Sequence, residues 1–134
     1  MEMKVHFPEN LRVDAEYKGF TIHTDQPVAG GGDGSAPAPF DLFVASIGTC
    51  AGIFMLSFMK QRGIDPQGSG LTLTTERDPG TGMISRVTIA LHLPAGFPEK
   101  YEAAIVRAVD QCSVKRHIHQ PPEFAVTTVR NSAS

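Results

Sequence analysis

One stretch dominates this sequence: Pro39-Phe40-Asp41-Leu42-Phe43-Val44-Ala45-Ser46-Ile47-Gly48-Thr49-Cys50-Ala51-Gly52-Ile53-Phe54-Met55-Leu56-Ser57-Phe58-Met59-Lys60. It follows a run rich in glycine and proline and stops shortly before Gly63, so turn-forming residues bound it on both sides. Asp41 stands in the first turn and Lys60 in the last, which is the charge order that the helix dipole favours. Because no residue between these two is charged, the stretch predicts a long helix that is apolar on every side.

A helix of this kind is either the centre of a hydrophobic core or a membrane span. The run from Leu42 to Met59 is about as short as a membrane span can be. Glycine and hydroxyl-bearing residues make it weakly hydrophobic for lipid: Ser46, Gly48, Thr49, Gly52 and Ser57. We therefore predict a buried core helix and no membrane partner, with Cys50 in mid-helix beside the face of small residues.

The composition fits one globular domain spanning residues 1–134, because 41% of the residues are hydrophobic and 19% are charged. A net charge of −2 argues against a nucleic acid or an anionic membrane as a partner. The N-terminal residues contain no apolar segment of a signal peptide, so we expect a cytoplasmic location. In that compartment the two cysteines are expected to be free, metal-bound or redox-active rather than joined in a structural disulfide.

Periodicity in the sequence predicts the remaining elements around the long helix. In chain order they are a short strand over 4–7, strands over 11–17 and 20–23, a loop over 26–39, the long helix, strands over 71–76 and 87–93, a helix that opens at Pro98 and carries Cys112 on its apolar face, and a last strand over 124–128. This order predicts an α+β fold with antiparallel strands and with the helices on one face.

Two groups of residues could carry chemistry. Cys50 and Cys112 are each predicted on the buried face of a helix, where they are either small buried hydrophobes or a functional pair of thiols. His117 and His119 suggest a metal site, but neither a Cys-x-x-Cys nor a His-x-x-x-His motif accompanies them. We therefore predict no metal and no cofactor, and interpret the histidines as part of a basic surface cluster with Lys115 and Arg116.

The surroundings of both cysteines resemble those of the OsmC/Ohr family, the osmotically inducible and organic hydroperoxide resistance proteins. The resemblance rests on the run from Pro39 to Cys50 and on Asp110-Gln111-Cys112-Ser113-Val114, and the order of elements agrees over nearly the whole chain. It implies an OsmC-like α+β fold with a long central helix, assembled as an intertwined homodimer. It also implies a cytoplasmic peroxidase that defends against oxidative stress by reducing organic hydroperoxides.

The resemblance assigns roles to four residues. Cys50 would be the attacking thiolate and Cys112 the resolving thiol, and an external dithiol would restore both. A cysteine in mid-helix gains nothing from the helix dipole, so an activating cation is expected, and Arg12 is the N-terminal candidate. Asp41 resembles the acidic position of a less characterised subgroup that favours Cys-Ser-Val at the second cysteine. Both residues also have ordinary interpretations, Arg12 as a solvated strand residue and Asp41 as a charge at the helix start.

The sequence also departs from the pattern of the family. Phe40 occupies the position of the family's glutamate, and the Gly-Arg-x-Gly motif that usually brings the arginine is absent. Substitutes for Arg12 are Lys18, Arg77 and Arg116. These departures keep a second hypothesis open: a non-catalytic module that binds a small apolar or thiol-reactive ligand in the cleft of the dimer.

Overall fold

The computed structural model describes residues 1–132 and has an α+β fold. Its strands are β1 (Lys4–His6), β2 (Val13–Tyr17), β3 (Phe20–Thr24), β4 (Gly70–Arg77) and β5 (Ile84–His92). Its helices are α1 (Pro39–Gln61), α2 (Glu102–Val109) and α3 (Ser113–His119), with single 3-10 turns at Val28–Gly30 and Glu99–Tyr101. The predicted fold class, the first five strands and the long helix are confirmed.

The strands form two antiparallel sheets. Strands β1, β2 and β3 lie side by side in that order, and β4 pairs with β5. In the first sheet Asp14 faces His6 on one side and His23 on the other. The turn between β2 and β3 holds Lys18 and Gly19 at φ 48° and 81°, the left-handed pair that a two-residue hairpin turn needs.

Helix α1 buries one stripe of its surface, formed by Ile47, Ala51, Met55, Phe58 and Met59. These residues recur three to four positions apart, as expected for one side of a helix. By length and composition α1 could cross a membrane, but the core helix of a soluble protein meets the same criterion. Only 28% of its most apolar stretch is buried within the chain, so much of its surface needs cover from elsewhere.

The chain divides into two compact units, and each is described by itself. The first unit comprises Met1–Thr49 and Thr72–Ile89, and the second comprises Cys50–Leu71 and the chain from Ala90 onward. In the second unit the ring of Phe58 packs against those of Phe97 and Tyr101, with centroids 6.5 and 6.0 Å away. The prediction of one domain over residues 1–134 stays a prediction.

The helix predicted from Pro98 to Cys112 is interrupted. Helix α2 ends at Val109, and Cys112 has φ −52° and ψ 126°, which lies outside the helical region. Cys112 therefore precedes α3 as its N-cap residue, and the N–H of Arg116 donates to its carbonyl oxygen at 3.1 Å. Neither glycine nor proline marks this break in the sequence, so the apolar periodicity predicts one continuous helix where the structure has two.

The prediction of a last strand over 124–128 is wrong for the single chain. Between residues 121 and 132 the structure has no strand, and Phe124 and Val126 are 88% and 94% exposed. Alternating apolar and polar residues form a strand only where a neighbouring strand supplies hydrogen bonds. No such neighbour meets this segment in the described part of the chain.

Candidate thiol site

The two cysteines meet within the second unit. Cys50 lies in the middle of α1 and is half-buried, whereas Cys112 is completely buried at the start of α3. Both are free thiols, and each is among the groups that shift the pKa of the other. The two side chains are therefore neighbours, and their roles as attacking and resolving thiols stay predictions.

The surroundings of Cys50 favour its thiolate. Burial raises the pKa of Cys50, but the hydrogen bond from the Cys112 side chain and those from the backbone N–H groups of Val114 and Ser113 lower it further than burial raises it. The net pKa of Cys50 is below the ordinary thiol value. Hydrogen-bond donors thus hold a negative charge on this sulfur at lower pH than in an exposed cysteine.

Cys112 responds in the opposite direction. Burial raises its pKa, and the neighbouring Cys50 raises it further, while the backbone N–H groups of Lys115 and Val114 only partly offset these effects. Cys112 therefore keeps its proton and donates it in the hydrogen bond to Cys50. One thiolate acceptor and one thiol donor is the arrangement that two coupled thiols adopt when a single proton is lost.

The donors to Cys50 come from the local structure at the start of α3. The first N–H groups of a helix have no carbonyl partner inside the helix, so they are free to bind a group in front of it. Ser113 supplies one of them because serine keeps the backbone N–H that proline lacks. Sequence reasoning expected a cation and missed these amides. The only signal in the sequence was serine, rather than proline, after Cys112.

The other predicted site residues lie in the first unit. The guanidinium of Arg12 is 3.8 Å from a carboxylate oxygen of Glu9 and 3.9 Å from one of the buried Asp14, which also bonds His23 Nδ1 at 2.9 Å. The Asp41 carboxylate accepts a hydrogen bond from the N–H of Ala38 at 3.1 Å, at the start of α1. Asp41 thus fits its interpretation as a charge at the helix start, whereas Arg12 precedes β2 and its side chain is only 28% exposed, so it is not a solvated strand residue. The catalytic roles of both residues remain predictions.

The structure also shows the surroundings of the three possible substitutes for Arg12. Lys18 Nζ lies 5.2 Å from the ring centre of Tyr17, and the guanidinium of Arg77 lies 5.7 Å from that of Phe40. The phenylalanine at the family's glutamate position thus contacts an arginine through its ring face. Arg116 lies on α3, one turn after Cys112.

The histidine pair does not form a metal centre in the structure. His117 and His119 lie on α3, and Nδ1 of His117 is 2.7 Å from the carbonyl oxygen of Ser113. Among residues 1–132 no group of three histidine, cysteine or acidic side chains is placed to hold a metal ion.

An apolar groove runs along the same helix as Cys50. It has a volume of about 370 Å³ and is lined by Ile53, Phe54, Ser57, Phe58, Gln61 and Ala108. Ile53, Phe54 and Ser57 follow Cys50 at i+3, i+4 and i+7, so they lie on the same side of α1 as the sulfur. The groove therefore begins about one turn of α1 after Cys50.

The structure thus combines an α+β fold with a pair of neighbouring free thiols. The sequence model of the family described as OsmC-like protein matches residues 32–127. This chain belongs to the OsmC-like family. No curated protein matches the chain.

Solved structures support the fold. A protein of Psychrobacter arcticus 273-4, provisionally described as an osmotic stress induced and detoxification response protein, is 26% identical with a TM-score of 0.73, and 87% of each chain is covered. An organic hydroperoxide resistance protein OsmC of Legionella pneumophila is 21% identical with a TM-score of 0.56, again over 87% of each chain. The organic hydroperoxide resistance protein OhrB of Bacillus subtilis is 15% identical with a TM-score of 0.51, over 87% of this chain and 88% of its own.

Proposed function

We propose that this protein is a thiol-dependent peroxidase that reduces organic hydroperoxides through Cys50 and Cys112, in defence against oxidative stress. The observation that carries the proposal is the opposite direction of the two pKa shifts in one hydrogen-bonded pair. A nucleophile must be a thiolate, and the resolving group must stay protonated until it is needed. Membership of the OsmC-like family, with relatives named for hydroperoxide resistance, supports the same conclusion.

The proposed cycle uses each sulfur once. The Cys50 thiolate attacks the terminal peroxide oxygen, the O–O bond breaks, and the alkoxide leaves and takes up a proton to become the alcohol. Cys50 is then a sulfenic acid. The Cys112 sulfur, losing its proton, attacks the Cys50 sulfur and displaces water, which completes the disulfide. An external dithiol returns two electrons and two protons to the pair.

Organic hydroperoxides fit the site better than hydrogen peroxide does. The groove beside Cys50 is lined mostly by apolar side chains, with Ser57 and Gln61 as its polar members. Burying an alkyl group there gains about 25 cal/mol for each Å² of apolar surface removed from water. Hydrogen peroxide has no apolar group and gains nothing from the groove.

The proposed working form is a homodimer. Helix α1 is mostly uncovered within the chain, and Phe43 and Ile53 on it are exposed. The strand-like segment 124–128 has no partner strand among residues 1–132 and exposes its apolar side chains. A second copy would cover these surfaces and could pair with the segment. Sedimentation at micromolar concentration should show a dimer, and a monomer would contradict this part of the proposal.

A reducing compartment such as the cytoplasm suits this cycle, because it supplies the thiols that reopen the disulfide. We propose that location on the same grounds as the peroxidase activity.

Thiol titration tests the proposed activity. One equivalent of cumene hydroperoxide should remove two thiols per chain, and mass spectrometry should find the peptides of Cys50 and Cys112 joined by a disulfide. An unchanged thiol count would refute the peroxidase. Sulfinic acid at Cys50 with Cys112 untouched, in the wild type at low peroxide, would refute the resolving role.

The groove and Phe40 support a second candidate, a non-catalytic module that binds a small apolar or thiol-reactive ligand. Phe40 replaces an acidic group of the characterised peroxidases, while the groove is suited to binding alone. The same titration separates the two functions, because a binding module would leave the peroxide unreduced while its groove still takes up an apolar fluorescent probe.

A further inference from the structure

The side chain of His117 contacts the peptide group that joins Ser113 to Val114. Its Nδ1 atom lies 2.7 Å from the carbonyl oxygen of Ser113, four residues earlier on α3. A carbonyl oxygen can only accept a hydrogen bond, so the imidazole nitrogen must be the donor. The contact therefore requires a proton on Nδ1 of His117.

The same peptide group faces the thiol site with its other end. Its N–H belongs to Val114 and is one of the backbone donors to the sulfur of Cys50. Ser113 and Val114 are the first two residues of α3, so their N–H groups have no carbonyl partner inside the helix and are available to the sulfur. One peptide group therefore connects the imidazole of His117, bound at the carbonyl, with the sulfur of Cys50, bound at the N–H.

A hydrogen bond to the carbonyl of a peptide group makes the N–H of that group a better donor. The bond draws electron density toward the oxygen, and hydrogen bonds that follow one another in a chain strengthen each other by roughly 10–30%. The bond also restrains the tilt of the peptide plane, so the N–H keeps its direction toward the sulfur. Both effects favour a negative charge on the sulfur that accepts from this N–H.

We infer that His117 is a positioning residue for the Cys50 thiolate: by donating to the carbonyl of Ser113, it strengthens the N–H donor that Val114 directs at the sulfur. The imidazole acts through this peptide group, not through contact with a substrate. The inference rests on the proposed function, because it takes Cys50 as the reacting thiol. The alternative is that the contact only stabilises the first turn of a short helix.

Substitutions of His117 that keep or remove the donor test the inference. In His117→Asn the amide nitrogen can occupy about the position of Nδ1 and donate to the same carbonyl, whereas His117→Leu has no donor. Leucine favours a helix at least as strongly as histidine does, so His117→Leu does not weaken α3 through helix propensity. His119→Leu makes the same change at the last residue of α3, more than one helical turn beyond the reach of the Ser113 carbonyl, and serves as the control.

The measurement is the pH dependence of the rate at which iodoacetamide alkylates Cys50, with the modified peptide identified by mass spectrometry. We expect His117→Leu to move the midpoint of this profile upward by a few tenths of a pH unit, because the Val114 donor loses roughly 10–30% of its strength. His117→Asn and His119→Leu should keep the wild-type midpoint. Lys115 and Arg116, the cations of α3, are unchanged in every variant, so they do not contribute to the difference.

An unchanged midpoint in His117→Leu would overturn the inference. Equal shifts in His117→Leu and His117→Asn would also overturn it, because the effect would then come from the ring and not from its Nδ1–H donor. Nitrogen-15 NMR of the imidazole in the wild type is a second measurement that does not depend on the folding of any variant. It should find the proton of the neutral ring on Nδ1, and a neutral ring protonated only on Nε2 would contradict the inference.

The inference and the proposed function can fail separately, because alkylation needs no peroxide. A shifted midpoint in His117→Leu, together with no consumption of cumene hydroperoxide by the wild type, would refute the peroxidase and support the role of His117. Turnover of the peroxide with an unchanged midpoint in His117→Leu would refute only the role of His117.

Discussion

The Cys112 side chain lowers the pKa of Cys50, and Cys50 in turn raises the pKa of the buried Cys112. The pair is therefore ordered before any peroxide arrives. One sulfur is exposed enough to meet a substrate and is biased toward the thiolate, while the other is buried and protonated. Substitution of Cys50 should therefore have a different effect from substitution of Cys112.

We expect Cys50→Ser to abolish peroxide turnover, because the serine hydroxyl is not a nucleophile at neutral pH. Cys112→Ser should consume about one equivalent of alkyl hydroperoxide and then stop when no exogenous thiol is present, since the sulfenic acid has no partner. Single-turnover assays with tert-butyl hydroperoxide measure both. Full activity of Cys50→Ser would refute the assignment of the nucleophile.

Ser113→Pro should raise the pKa of Cys50. Proline removes the N–H that donates to the Cys50 sulfur, and it is tolerated at the first position of a helix, which Ser113 occupies. The pH dependence of the rate of iodoacetamide alkylation should shift toward higher pH, because the thiolate loses one of its hydrogen-bond donors. Ser113→Ala keeps the N–H and serves as the control, so an equal shift in both variants would remove the backbone donor from the explanation.

The same titration decides the role of Arg12. The sequence predicts that Arg12→Ala shifts the alkylation profile of Cys50 toward higher pH, as loss of an activating cation would. Arg12 pairs with Glu9 and Asp14 in the first unit, so Glu9→Gln, which removes one of these partners but keeps the arginine, is the matched control. An unchanged profile in Arg12→Ala would leave the hydrogen-bond donors at Cys112, Ser113 and Val114 as the stabilising groups.

We expect the stability of the protein at acid pH to depend on the ionisation of Asp25, which lies in the loop after β3. Its buried carboxylate accepts hydrogen bonds from the Ser35 hydroxyl at 2.6 Å and from the backbone N–H groups of Ser35 and Gln26 at 3.0 and 2.7 Å. The side-chain bond from Ser35 and these amides lower the pKa of Asp25 to about 2, from an ordinary 3.8. A lowered folded-state pKa adds stability that is fully present above the ordinary value and is lost as the pH falls toward 2.

In urea unfolding from pH 5 to pH 2, Asp25→Asn should therefore lower the stability at pH 5 and flatten its dependence on pH. Glu16→Gln, an equal change of charge at an exposed position of β2, should keep the wild-type slope. Identical slopes in the wild type and Asp25→Asn would contradict the prediction.

Gly32→Ala should destabilise the same loop. A Cβ at this position would lie 2.0 Å from the carbonyl oxygen of Gln26 and 2.8 Å from Oδ1 of Asp25, so the backbone would have to shift. We expect a loss of about 1–3 kcal/mol in the free energy of unfolding, as for other overpacked sites. Gly96→Ala, where nothing lies within 4 Å of the added Cβ, is the control and should lose much less.

The parts of the fold that depend on local pattern were predictable from the sequence. Strand β2 shows the alternation of a half-buried strand. The apolar run of α1 is typical of a core helix in a soluble protein. The break between α2 and α3 was not predictable, because Asp110 and Gln111 are compatible with a helix and the apolar spacing continues through them to Cys112. The strand predicted at 124–128 failed for the opposite reason. Its pattern is local, but a strand needs a neighbour that a single chain does not supply here.

The two cysteines of the site could be predicted from the sequence, but the hydrogen-bond donors to Cys50 could not. Cys50 and Cys112 could be identified by their flanking residues, whereas the amides that lower the pKa of Cys50 depend on where α3 begins. Every residue except proline has the same backbone N–H group, so no particular side chain points to these amides. Arg12 is the group that the sequence suggests, because a positively charged side chain can be identified from the sequence and a backbone amide at a helix start cannot.

The break before α3 also has a mechanical consequence for the proposed redox cycle. A disulfide bond is about 2.05 Å long, much shorter than the contact between two hydrogen-bonded thiols, so one sulfur must travel when the bond forms. Cys50 lies within a continuous helix, whereas Cys112 lies in the segment 110–112 between α2 and α3. The backbone of Cys112 is held by hydrogen bonds to the carbonyl oxygen of Val109 and from the N–H of Arg116. Rotation about its Cα–Cβ bond would keep these bonds and still move its sulfur. We therefore expect Cys112 to supply the sulfur that moves, while Cys50 stays in place on the central helix.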